Sequence, residues 1–178
     1  MANTTFSGPV RSKNGFINTG PGAVKALTLA TDLTVADHAG RLITMDPAGT
    51  PTAITIPSII STADAAVAGA SDPNNASTIG TTFEILFIDN FTGTIKTAKT
   101  ADKFVGAVTL GITASTAGKQ FQVATNNNEV NLNGEAGTAT TGGLKGSIIK
   151  FTAIAANLYA VEGQLLAAGV LATPFDNQ

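Results

Sequence analysis

Thr82-Phe83-Glu84-Ile85-Leu86-Phe87-Ile88 is the stretch whose reading decides the fold. Successive side chains of an extended chain point to opposite faces, so Phe83, Ile85 and Phe87 share one side. Leu86 and Ile88 take most of the other, which predicts a central strand covered on both faces.

The neighbouring segments read the same way. Upstream, Thr52-Ala53-Ile54-Thr55-Ile56 alternates Thr and Ile until Pro57 stops it, and Ala26–Ala30 and Arg41–Met45 are shorter apolar alternations. Downstream, Asp89-Asn90-Phe91-Thr92-Gly93 carries turn residues and leads into Thr94–Thr97, which predicts a hairpin with the central strand. Further strands are expected over Phe104–Leu110, Lys119–Ala124, Glu129–Leu132, Ser147–Ile154 and Asn157–Gly163, with Asn126-Asn127-Asn128 as a turn. Helix is scarce: Thr62–Ala70 has the composition for about two turns, with Ser61 or Thr62 as N-cap. Residues 71–80 and 134–143 read as exposed loops. The expected fold is all-β: an antiparallel β-sandwich, jelly roll or small barrel with at most one short helix. No period of 20–50 residues marks a solenoid.

Residues 1–24 differ from this body. Gly8-Pro9, Gly15 and Gly20-Pro21-Gly22 prevent a helix, while Phe6, Val10, Phe16 and Ile17 are more apolar anchors than a solvated tail needs. The stretch reads as an extended N-terminal arm, with Arg11 and Lys13 giving it local positive charge; it docks either on a larger acidic surface or on its own domain. Residues 25–178 read as a single β-rich domain with a C-terminal tail.

Composition narrows the function. Of 178 residues only 12% are charged, about half the roughly 25% of an ordinary soluble domain. A surface so weakly ionised associates readily, which points to burial in an assembly. A net charge of −2 offers no electrostatic footprint for nucleic acid. No apolar run approaches the roughly 20 residues that cross a bilayer, and Met1–Thr5 does not open a signal peptide, so synthesis in a cytoplasm without membrane insertion is expected.

Catalytic constellations are missing from the sequence. There is no Cys, and His38, beside Asp37, is the lone imidazole about which a Ser-His-Asp arrangement would have to be built. Asp37 most simply caps a turn. One His with scattered carboxylates does not supply the common zinc sets. Asp72, Asn74 and Asn75, or Asn126–Glu129, offer oxygen ligands for calcium, but without EF-hand spacing. Thr141–Ser147 is glycine-rich yet lacks the Gly-Lys-Ser/Thr order and the following helix of a phosphate loop. No cofactor, metal or catalytic residue is therefore expected.

The opening Asn3-Thr4-Thr5-Phe6-Ser7-Gly8-Pro9-Val10-Arg11-Ser12-Lys13-Asn14-Gly15-Phe16 resembles the start of small virion proteins of tailed bacteriophages, the head decoration or cement proteins. The ending, Asn157–Gly163 and then Gly169–Phe175, is similar to the same group, with Tyr159 where a Trp is expected. Ala53–Pro57 and Thr82–Phe87 are similar to its strand pattern. The resemblance implies a non-enzymatic homotrimer on the capsid surface of a virion, locking neighbouring copies of the major capsid protein together. It makes Phe6, Val10, Arg11, Lys13 and Phe16 shell contacts and lets Pro174 and Phe175 dock on a neighbouring subunit. A tail, fibre or receptor-binding virion module is the alternative.

Overall fold

The computed structural model describes residues 21–47, 52–61 and 77–178, and the structural statements below concern these residues. Most of the expected arm and the helix expected over 62–70 lie outside them. Alternating apolar residues become strands β1 (Val24–Leu27), β2 (Thr31–Asp32), β3 (Leu42–Met45), β4 (Thr52–Ile56), β5 (Thr82–Phe87) and β6 (Thr92–Thr97). They continue as β7 (Lys103–Ile112), β8 (Gly118–Gln122), β9 (Glu129–Asn133), β10 (Ile148–Ala155), β11 (Leu158–Ala167) and β12 (Phe175–Asp176). One α-helix lies among the described residues, the single turn α1 (Val35–His38). Asp37-His38 therefore belongs to a helical turn rather than to a plain strand–strand turn. Thr34 caps it, its hydroxyl oxygen accepting from the Asp37 amide at 3.2 Å.

Two sheets form a sandwich, one ordered β1-β3-β5-β10-β11-β7-β8 and the other β12-β9-β6-β4-β2. The all-β expectation with one short helix is borne out. Within it the sheets are mixed rather than antiparallel. The chain changes sheet after each of its first five strands, so β1, β3 and β5 run parallel in one sheet and β2, β4 and β6 parallel in the other. These six strands wind as a flattened coil whose turns are unequal, which is why no sequence period exposes it. The ladder of β7 on β11 is also parallel, while β5–β10, β10–β11, β7–β8, β6–β9 and β9–β12 are antiparallel.

The hairpin expected across Asp89–Gly93 is corrected as well. Phe91, amid the turn residues, is fully buried, and its ring lies 4.8 Å from that of Phe87 between centroids. Burying that ring turns the chain across the sandwich, so β6 pairs with β4 and β9 instead of β5.

The core is built from rows of register partners. Ile43, Ile85, Ile149, Gly163, Val108 and Phe121 cross the seven-stranded sheet on its inner side. Thr31, Ile54, Ile95, Val130 and Phe175 cross the other. Phe83, Phe104, Phe151 and Tyr159 fill the space between, each large ring contributing about 1.5–3 kcal/mol or more on burial. Gly106, the small residue at the centre of β7, has φ +122°, and a Cβ there would sit 2.2 Å from the Val161 carbonyl oxygen. Only glycine lets β7 approach β11 at that point. The loop expected over 134–143 is exposed only at 135–138; Gly134, Ala139, Gly142 and Gly143 are buried, and at Gly134 and Gly143 the absence of a side chain lets the backbone approach that of Phe91.

Candidate interaction surface

The residues with chemical potential are engaged in holding the fold. His38 is buried in α1, and its Nδ1 accepts from the Thr34 amide at 3.0 Å. That contact places the ring proton on Nε2, which has no partner among the described residues. Burial pushes its pKa below the ordinary histidine value. The Asp37 carboxylate accepts the Thr34 hydroxyl at 3.0 Å. The asparagine turn anchors the chain end: Asn127 Oδ1 accepts from the Ala124 amide, Asn128 Nδ2 donates to the Thr100 carbonyl, and Asn128 Oδ1 accepts from the Gln178 amide. In the glycine-rich loop, the Lys145 amide donates to Asn90 Oδ1, and Ser147 Oγ accepts from the Leu166 amide. No group of three or more His, Asp or Glu placed to hold a metal lies among the described residues, and no helix there is long and apolar enough to cross a membrane. Asp72, Asn74 and Asn75 lie outside the described residues.

A buried polar pair went unread in the sequence. Asp102, at the end of the β6–β7 turn, is fully buried; its Oδ2 accepts from the Ile59 amide at 3.2 Å, and Oδ1 has no partner. Burial drives its carboxyl pKa up, against the Ile59 hydrogen bond and the nearby Lys99 charge. Tyr159 beside it donates its hydroxyl to the Pro57 carbonyl at 2.7 Å, and burial followed by the Asp102 charge raises its phenol well above the usual range. Asp102 sits in a polar run with the pattern of any exposed turn, so only the tertiary fold reveals it.

The two outer faces of the sandwich differ sharply. Across the five-stranded sheet the outward row is Asp32, Thr55, Lys96, Glu129 and Asp176, polar throughout and largely charged. A solvated sheet face has this composition. Across the seven-stranded sheet, the outward positions mix apolar Leu42, Leu86, Ile148, Leu158, Ala160, Ala107 and Val105 with polar Thr44, Thr82, Thr109, Thr152, Gln122 and Gln164. Val105 is 44% exposed, and Ile154 and Ile88 nearby are 46% and 40% exposed. Charges at the middle of this face fall in one row, Glu84-Lys150-Glu162, in which Lys150 Nζ donates to Glu162 Oε1 at 2.8 Å. Glu84 has no ion pair among the described residues.

This face corrects the reading of β5 as covered on both sides. Phe83, Ile85 and Phe87 are buried within the chain, whereas Leu86 is half-buried and Ile88 exposed. The described residues cover one side only. A shallow depression lined by Glu84, Ile148, Lys150, Glu162 and Gly163 opens on the same face.

Of the residues expected to touch a shell, Phe6, Val10, Arg11, Lys13 and Phe16 lie outside the described residues. Pro174 and Phe175 are buried against their own domain: Phe175 is 6% exposed, belongs to the core and pairs with Val130 through β12. The alternation that turns Phe175 inward places its ring in the chain's own sandwich. No family model matches the chain, and neither a curated protein nor a solved structure does.

Proposed function

We propose that this chain is a non-enzymatic structural subunit of a virus particle, a decoration or cement protein on the outside of a phage head. The single observation that carries the reading is the contrast between the sandwich's outer faces, one crossed by an ionised row and one that sets Leu42, Leu86, Ile148, Ala160 and Val105 among its polar residues. An isolated soluble domain gains nothing from such a face; a subunit of an assembly gains buried area. The low charge content and the resemblance of both chain ends to head decoration proteins support it further.

In this reading Phe6, Val10, Arg11, Lys13 and Phe16 reach the major capsid protein, and the body adds contact area across the junction between capsid subunits. Standard specific interfaces bury roughly 1,200–2,000 Å². Repeated over every junction, that area stabilises a shell through stoichiometry alone. Calorimetry of purified empty heads tests it: added protein raises the head's melting temperature if it is a cement, and an unchanged transition at saturating protein overturns the proposal.

A further inference from the structure

We infer that in the free protein, before any shell is met, residues 1–20 lie across the outer face of their own chain's seven-stranded sheet. The cover itself needs only that face; its exchange for capsid contacts on a shell rests on the decoration role proposed above.

The basis is the place where the chain enters the sheet. β1 is an edge strand of the seven-stranded sheet. Its first residue, Val24, is 45% exposed and heads a row of register partners, Leu42, Glu84, Lys150 and Glu162 in turn. The chain therefore joins the sheet level with the shallow depression that Glu84, Ile148, Lys150 and Glu162 line. Length is no obstacle. Twenty extended residues reach up to about 66 Å, more than twice the roughly 29 Å across seven strands spaced about 4.8 Å apart. Phe16, eight residues before Val24, can span up to about 26 Å, and β5 lies only about 10 Å from β1.

Composition chooses the face. Residues 1–20 carry Phe6, Val10, Phe16 and Ile17 and no carboxylate. Apolar anchors gain about 25 cal/mol for each Å² of surface removed from water, so they need apolar partners. Leu42, Leu86, Ile148 and Val105 supply them on the seven-stranded face. On the opposite face the outward positions of β4, β6 and β9 offer no apolar side chain larger than Ala53. Charge is permissive there and here alike: Asp32, Glu129 and Asp176 lie on the five-stranded face, and Glu84, with no ion pair among the described residues, lies on this one. Arg11 and Lys13 thus find a carboxylate under the arm without being what directs it. Attachment at Val24 favours the chain's own face over a neighbour's, because a short tether holds its end at an effective concentration of about millimolar.

Such a cover hides the apolar residues until a larger surface competes for arm and face together. It sets no limit on the number of copies in an assembly.

Paramagnetic broadening in the full-length chain tests this. The chain has no native Cys, so Ser12→Cys takes a single spin label between the anchors. The expected result, without shells, is a greater loss of amide signal at Leu86, Lys150 and Glu162 than at Thr94, Lys96 and Asn131. Phe16→Ser in the arm and Leu86→Asp on the face each abolish that difference, and thermal melts of both variants separate lost cover from lost folding. A mixture of isotope-labelled chain without the spin label and spin-labelled chain without the isotope is expected to show no such loss. Equal broadening of the two faces, none on either, or broadening that appears in the mixture overturns the inference. Empty heads then test the role separately. A covered face on a chain that ignores heads keeps the inference and removes the decoration role; an uncovered face on a chain that binds them does the reverse.

Discussion

The Tyr159 hydroxyl donates to the Pro57 carbonyl at 2.7 Å, tying β11 of one sheet to the stretch that leaves β4 of the other. The two residues are 102 positions apart in the chain, so this one contact closes a long loop across the core. Tyr159→Phe keeps the ring and removes the donor. It is expected to cost about 1 kcal/mol, the usual net worth of a hydrogen bond, and to lower Tm by about 2–4 °C in a chain of this size. A thermal melt that matches wild type within error contradicts the assigned role.

Asp102 makes stability depend on pH. Burial raises its folded-state pKa above the ordinary aspartate value, so the folded chain holds this proton more tightly than the unfolded chain does. Its favourable contribution is present below the unfolded value and is lost as pH rises through the folded one. Asp102→Asn cannot ionise and retains an oxygen for the Ile59 amide. The stability of the variant relative to wild type is therefore expected to rise between about pH 4 and neutrality, read from urea unfolding at each pH. A difference independent of pH contradicts the burial argument.

Gly106→Ala forces a Cβ against the Val161 carbonyl, where it would sit at 2.2 Å, in a backbone conformation with φ +122°. The strain falls at the centre of the β7–β11 ladder. A loss of about 2–3 kcal/mol or more is expected in chemical denaturation, against less than about 1 kcal/mol for Gly22→Ala, whose added Cβ meets nothing.

Phe175→Ala separates the two readings of the chain's end. With the ring in its own core, truncation costs about 3–5 kcal/mol and appears in the isolated chain's unfolding curve. Were the ring a contact for a neighbouring subunit, stability of the isolated chain would be unchanged and only assembly would suffer.

The inward half of the fold was legible in the sequence because strand alternation records which side a residue faces. Phe83, Ile85 and Phe87 are buried as their spacing requires, and so are Ile54 and Ile56. Alternation carries no information on the direction or identity of the neighbouring strand, so the parallel coil of β1 to β6 stands where an antiparallel architecture and a hairpin across Asp89–Gly93 are expected. Phe91 shows the same limit: its flanking Asn90 and Gly93 mark a turn, but where that turn leads depends on which core receives the ring. Asp102 was invisible because its run, Lys99-Thr100-Ala101-Asp102-Lys103, has the composition of solvent-exposed chain. The interaction face was half legible. Leu86 and Ile88 asked for a second cover over β5, and the structure shows that the described residues do not supply it.

The central claim, that this molecule works by covering surface on a shell, is tested most directly by counting the copies that co-sediment with purified empty phage heads as its concentration rises. The account predicts saturation at a fixed whole-number ratio to a repeating site of the shell. Binding that is absent, or that climbs without a plateau at micromolar concentrations, contradicts it.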